Sequence, residues 1–159
     1  MSRPYRTGSR WAFWRWTVTD SGYLTRLHLV KTPWFAVCLH WIHKPDPEPY
    51  LHDHPVSFVS VVLRGWYHEV RSYPVLRYHN DKDLSWVSVE QVQRRVSRLN
   101  TVRASTDDVH SITAVSPGGC LTLCFMGPKH REWGFHTPTG WIMWKDYYRA
   151  KQLASVSRT

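Results

Sequence analysis

Pro45, Pro47 and Pro49 fall within the six residues "KPDPEP", and no regular element survives that spacing. Each proline ring fixes φ and removes a backbone N–H, so the segment is a stiff, irregular connector. It separates "WFAVCLHWIH" (residues 34–43) from "LHDHPVSFVSVVLRG" (residues 51–65). The first run is short and rich in aromatic and β-branched residues, which reads as a strand. The second divides at Pro55 into a short strand and a longer one, and Gly65 allows a tight turn out.

The same punctuation recurs along the chain. "WRWTVTDSGYLTRLHL" reads as a β-hairpin, with its turn at "TDSG". "HSITAV" and "CLTLCFM" are strands joined by "SPGG". Residues 71–86 show the least pattern and read as a long loop. "WVSVEQVQRRVSRLNTVRA" alternates at Val87 and Val89, then spaces Val92, Val96 and Leu99 as a helix would; strands are favoured there, with helix left open. "WIMWKDYYRAKQLA" is a short strand or a final helix. Many short strands with Gly/Pro turns predict an all-β sandwich or barrel, and ten Trp, eight Tyr and five Phe lean the same way.

The 159 residues suit one domain with a proper core. The expected organisation is a flexible basic tail over 1–10, a barrel domain over 11–150 and a C-terminal tail over 151–159. "MSRPYRTGSR" is basic with no apolar stretch after it, unlike a secretory signal. No apolar run approaches about 18 residues, so no membrane span is expected. Cys38, Cys120 and Cys124 match neither a disulfide framework nor a common zinc spacing. Each lies in an apolar run, which fits buried thiols of a cytoplasmic protein. The formal net charge of +9 points to an anionic partner or substrate, with nucleic acid the weaker option. "RRVSR" (Arg94, Arg95, Arg98) reads as a solvated face before a phosphate-binding stripe. There is no nucleophile elbow, P-loop or dinucleotide fingerprint.

His52 and His54 carry the chemistry. Two residues apart on a strand, they share a face about 7 Å apart, close enough to grip one metal where the sheet curves. Asp53 between them has the opposite parity. Glu69 lies beyond the Gly65 turn and cannot be placed from spacing. His40 and His43 read as solvated or capping residues, and His130 as a loop residue. His136 reads likewise, and Trp133, Phe135 and Trp141, beside Lys129 and Arg131, form a loop suited to lidding a barrel mouth over an aromatic or anionic substrate.

With His52, His54 and Gly65 at the spacing of G-x5-H-x-H-x3-4-E-x6-G, the chain resembles the cupin superfamily. "STDDVHSITA" falls where the second cupin motif supplies its histidine, here His110. The likeness covers roughly residues 36–126, and the run also looks like cupin-like proteins of actinobacteria and their phages. It implies a double-stranded β-helix, a jelly-roll barrel. It also implies a metal held by His52, His54 and His110, with Fe(II) favoured and Zn, Ni or Mn as alternatives. The departures are specific. Asp46 stands at the first glycine, Phe58 at the glutamate ligand, and Ser105, Asp107 and Ala114 at the proline, glycine and asparagine of the second motif. Without that glutamate the implied centre has three histidines, an arrangement similar to that of some cupin thiol dioxygenases.

The resulting expectation is a mononuclear Fe(II) dioxygenase acting on a small, anionic molecule, with Arg64, Trp133, His136 and Trp141 contacting substrate. A non-enzymatic small-molecule or metal-binding cupin, and a metal-free nucleotide-sugar isomerase or epimerase, are the alternatives. A homodimer through an aromatic sheet face is compatible with either.

Overall fold

The computed structural model describes residues 11–18, 22–79 and 83–156. The strands are β1 (Ala12–Val18), β2 (Leu24–Lys31), β3 (Ala36–Ile42), β4 (Leu51–His52), β5 (Phe58–Arg64), β6 (Trp66–His79), β7 (Asp83–Ser97), β8 (Thr101–Ala104), β9 (Val109–Val115), β10 (Cys120–Met126), β11 (Gly134–Thr137) and β12 (Gly140–Met143). One helix, α1 (Trp144–Val156), follows. Two six-stranded sheets form, ordered β1-β2-β3-β10-β5-β8 and β12-β11-β4-β9-β6-β7, and every pairing is antiparallel. From β3 to β10 the chain changes sheet at every connection except the β6–β7 hairpin. Strands distant in sequence therefore become neighbours, β3 beside β10 and β4 beside β9. This nesting is the double-stranded β-helix expected from the motif spacing.

The barrel interior divides along its length. Toward the Gly65 end, Leu24, Ile42, Val62, Tyr67, Val96, Val102 and Cys120 form the apolar core. Toward the other end the inner face turns polar. There Arg26 Nε donates to His40 Nε2 at 2.8 Å and Cys38 Sγ lies 3.1 Å from His28 Nδ1. His40, read above as solvated or capping, thus belongs to the interior. His43 is exposed and bonds Thr25 Oγ1 at 2.8 Å. All three cysteines are buried, as their apolar runs suggested.

Gly65 is required twice over. Its φ is +78°, and a Cβ there would lie 2.5 Å from both the Gly119 carbonyl oxygen and Ser116 Oγ. Gly118 and Gly119 of "SPGG" also have positive φ, but the turn carries the chain from one sheet to the other rather than closing a hairpin.

One expectation changes, and two open readings are decided. The described residues among 71–86 are not a loop: β6 and β7 pair from Trp66↔Ser97 to His79↔Asp83, with one register shift. Pairing of β6 to β9 stops at Ser72, so the rest of the hairpin is a two-stranded ribbon. A ribbon has no second sheet to face, and the hydrophobic alternation that marks a strand is not imposed on it. The helix-like spacing of Val92, Val96 and Leu99 is coincidental: Val96 is in the core, and the other two are exposed. Lastly, α1 runs on to Val156, within the segment expected to be a C-terminal tail, and Lys151 Nζ bonds both carboxylate oxygens of Glu48 at 2.8 Å. The turn residues Thr19–Ser21 and the basic segment 1–10 lie outside the described residues. No described helix is long and apolar enough to cross a membrane.

Candidate metal centre

His52 ends β4 and pairs directly with His110 on β9, so the two imidazoles leave the same face of the sheet. The strand ends at His52, and His54 comes from the turn beyond it, bent back toward the other two. One ligand atom from each of the three lies within 4.8 Å of the others. The ring centroids are 5.2 Å (His52–His54), 5.1 Å (His52–His110) and 4.8 Å (His54–His110) apart. His54 Nε2 and His110 Nε2 are separated by 2.8 Å.

Carboxylates stand behind two of these rings. His110 Nδ1 is 2.9 Å from Glu69 Oε2, so it donates there and leaves Nε2 as the free lone pair. His52 Nδ1 faces Asp46 Oδ2 at 3.7 Å. Asp46 is itself fixed by the Ile112 backbone N–H at 2.7 Å. Histidines whose outer nitrogen meets a carboxylate while the inner one points to a shared centre are the usual construction of a metal site.

The electrostatics keep His52 and His54 neutral. Burial lowers the His52 pKa to about 4, against a partial opposing pull from Asp46. Burial, with the neighbouring His52 and His110, pushes His54 well below its ordinary value. For Glu69, burial works upward, but the His110 hydrogen bond and charge, with Arg71 and Arg94, hold the carboxyl down at about 2. It stays ionised with no solvent exposure.

Phe58 occupies the position of the expected carboxylate ligand. Its ring meets His54 edge-on with centroids 4.9 Å apart. The carboxylates instead sit one step outward. Glu69 is reached by parity: Tyr67, Glu69 and Arg71 are every second residue of β6, and all three are buried. Spacing could not find it, because β6 follows a change of sheet. Asp46 was visible only as a departure from a glycine.

The four residues expected to bind substrate are divided. Trp133 does reach the centre: its ring is 5.9 Å from His52 and stacks on Trp144 at 5.8 Å. His136 and Trp141 gather instead on Asp53. That carboxylate is 1% exposed and accepts from Trp141 Nε1 at 2.8 Å, the Gly134 N–H at 2.8 Å and Arg131, with His136 Nε2 at 3.3 Å. Register places His136 opposite Leu51 and Phe135 opposite His52, so His136 and Asp53 lie on the other face of the sheet from His52. They lock β4 to β11. Arg64 is exposed at the far end of β5 from Phe58, about 20 Å along the strand. These three do not converge with the histidines.

A cavity of about 20 Å³ touches His52 and is walled by Tyr23, Glu48, Trp133, Phe135 and Tyr148. That is room for about one water. On the opposite side, Phe58, Ala104, Ser105, Asp108 and Met126 line an open groove of about 610 Å³, enough for a small molecule.

No protein-family model matches the sequence, and no curated protein sequence is significantly similar to it. Solved structures are similar at low identity. Hydroxypropylphosphonic acid epoxidase from S. wedmorenis matches at 16% identity and TM-score 0.47, over 69% of this chain and 53% of the epoxidase, so this chain spans about half its length. KdgF from Halomonas sp. matches at 14% identity and TM-score 0.48, over 74% of this chain and 96% of that one. An RmlC-like cupin from Shewanella frigidimarina matches at 17% identity and TM-score 0.47, over 82% and 95%. The nested strand order, with the motif histidines meeting across β4 and β9, decides the fold.

The fold is a cupin-type jelly roll.

Within it, the histidine cluster sits at the polar end of the cupin barrel, between Phe58 on one sheet and Trp133 on the chain that leads to β11. Donor chemistry fits a divalent transition metal: three imidazoles suit Fe(II), Zn(II) and Ni(II). Three protein ligands also leave coordination positions for other molecules.

Proposed function

We propose that His52, His54 and His110 hold one divalent metal, Fe(II) by preference, and that the chain is a metal-dependent enzyme of the dioxygenase type acting on a small molecule. The observation that carries this reading is the convergence of three ligand atoms within 4.8 Å, with Glu69 and Asp46 behind two of the rings. A bound metal supplies Lewis-acid and redox chemistry at its open positions. The chain's own residues do the rest. Glu69 orients His110 and fixes its tautomer, Phe58 and Trp133 exclude water on two sides, and the groove beside Phe58 admits substrate.

The test is metal analysis of protein purified without a histidine tag and reconstituted anaerobically with Fe(II). The expected result is close to one iron per chain, falling at least tenfold in His52→Ala and His110→Ala. A content unchanged by either substitution would refute the site. Dioxygen consumption by the iron-loaded protein with candidate small molecules then tests the activity; intact iron without uptake on any of them favours the second reading. That reading is a non-enzymatic metal-binding module, and the enclosure of His52 by aromatic side chains, with room for only about one water, is what favours it.

A further inference from the structure

Arg71 is the least explained residue of the interior. It is 4% exposed and is the cross-strand partner of His110, so its side chain starts about 5 Å from that of a proposed ligand and on the same face. Its Nε donates to Glu69 Oε1 at 3.0 Å, and its Nη1 donates to the Arg103 carbonyl at 3.2 Å and lies 3.6 Å from Asp108 Oδ1. Its Nη2 has nothing. It is the sole buried side-chain nitrogen or oxygen among the described residues without a hydrogen-bond partner. A buried cationic donor left open costs more than an ordinary lost hydrogen bond, and native structures rarely keep one without a use.

The charge around it is also unbalanced. Glu69 is shared between Arg71 and Arg94, which approaches at 2.5 Å. One carboxylate thus serves two guanidinium groups, and Asp108 offsets the difference from a longer distance and a partly exposed position. Neutral imidazoles add no negative charge, so a divalent cation on them would widen the excess. The groove does not itself reach Arg71 or the histidines, but it lies one side chain away from each. Asp108, which touches Arg71, and Phe58, which touches His54, both line the open groove.

We propose that Arg71 Nη2 is the anchor for the carboxylate of a small organic acid bound beside the three-histidine centre. This rests on the metal-centre reading for its neighbour, but not for the anion site itself. A carboxylate fits better than a larger oxyanion, because one donor is free and the other two arms of the guanidinium are committed.

Titration of the Co(II)-loaded protein with acetate, acetamide and inorganic phosphate, followed by visible absorption, tests it. Acetate should perturb the cobalt spectrum saturably, with acetamide and phosphate inert over the same range. Arg71→Gln should weaken acetate at least tenfold while cobalt content stays at the wild-type level. Asp108→Asn should tighten acetate about threefold by removing a competing carboxylate. Should Arg71→Gln fail to fold, Arg71→Lys keeps the charge and loses the fork, and a loss of severalfold is expected. Acetate affinity unaltered by the Arg71 and Asp108 substitutions overturns the proposal, as does a response to phosphate in place of acetate. If wild-type protein takes up no cobalt, the metal reading fails on its own. Acetate is then titrated into metal-free protein by amide NMR: shifts that depend on Arg71 uphold the anion site, and their absence overturns it.

Discussion

Glu69 is the residue on which the candidate site turns. It holds the His110 tautomer, and it is ionised in a place with no exposure to water. Partners behind a metal-bound histidine typically contribute about 10–100-fold to metal affinity. Glu69→Gln should therefore weaken Fe(II) or Co(II) binding by about that factor without abolishing it, measured by competition with a chromophoric chelator. Phe58 gives the complementary experiment. Its ring lies against His54 where a cupin carboxylate ligand would stand, so Phe58→Glu should raise divalent metal affinity, by about tenfold or more if the carboxylate reaches the metal. No gain would mean that position 58 does not face a metal shared by the three rings. His52 and His54 were legible as a pair, although only His52 lies on the strand that the parity reading assumed, and His110 was legible through the resemblance to the second cupin motif. Glu69 and Arg71 were not, because parity is readable only within one strand, and a change of sheet separates theirs from the histidines.

At the scale of elements, β4 is the weakest piece and carries the first ligand. It has two residues, too few to hold register by backbone pairing alone. Asp53 compensates by tying it to β11 and β12 through Arg131, Gly134, Trp141 and His136. Asp53→Ala leaves the Arg131 and Trp141 donors without their carboxylate. The expected cost is about 1–3 kcal/mol, as for leaving buried donors without their acceptor, read as a fall in the denaturation midpoint. Metal affinity should fall with it, since His52 is the residue before Asp53. Legibility was uneven here too. Turn chemistry located most strands, whereas β6 and β7 were hidden because a ribbon without a facing layer is not required to alternate. Parity set Asp53 apart from the two histidines, and its carboxylate performs a structural task on the other face.

For the whole molecule, the division of the barrel into an apolar end and a polar end makes stability depend on pH. His28 and His52 are each held down to about 4, by burial first. A histidine with a folded pKa below its unfolded value near 6.5 binds its proton more readily in the unfolded chain. Stability from these groups is thus complete above about pH 6.5 and is lost as the pH falls toward 4. Glu69, held at about 2, adds a second loss below its unfolded value of about 4.5. Metal-free protein should therefore lose melting temperature steadily from pH 6.5 to 4 and further below. His28→Gln should flatten the first part of that curve. A melting temperature constant from pH 7 to 4 would contradict the burial of these rings. The all-β class followed from composition and punctuation, and the barrel from motif spacing. The sorting of polar and apolar layers was not readable, because it depends on which strands become neighbours.

The nested strand order also bears on when the chain can acquire its metal. His54 and His110 are 56 residues apart in sequence, and β5, β6, β7 and β8 are laid down between them. Contacts that distant form late, after the loop-closure entropy between them has been overcome. A nascent chain that has emerged only as far as β8 presents two imidazoles without their third, and Glu69 without the ring it orients. Metal capture at the proposed centre would then follow the pairing of β9 with β4, and a loaded centre would report that this pairing has formed.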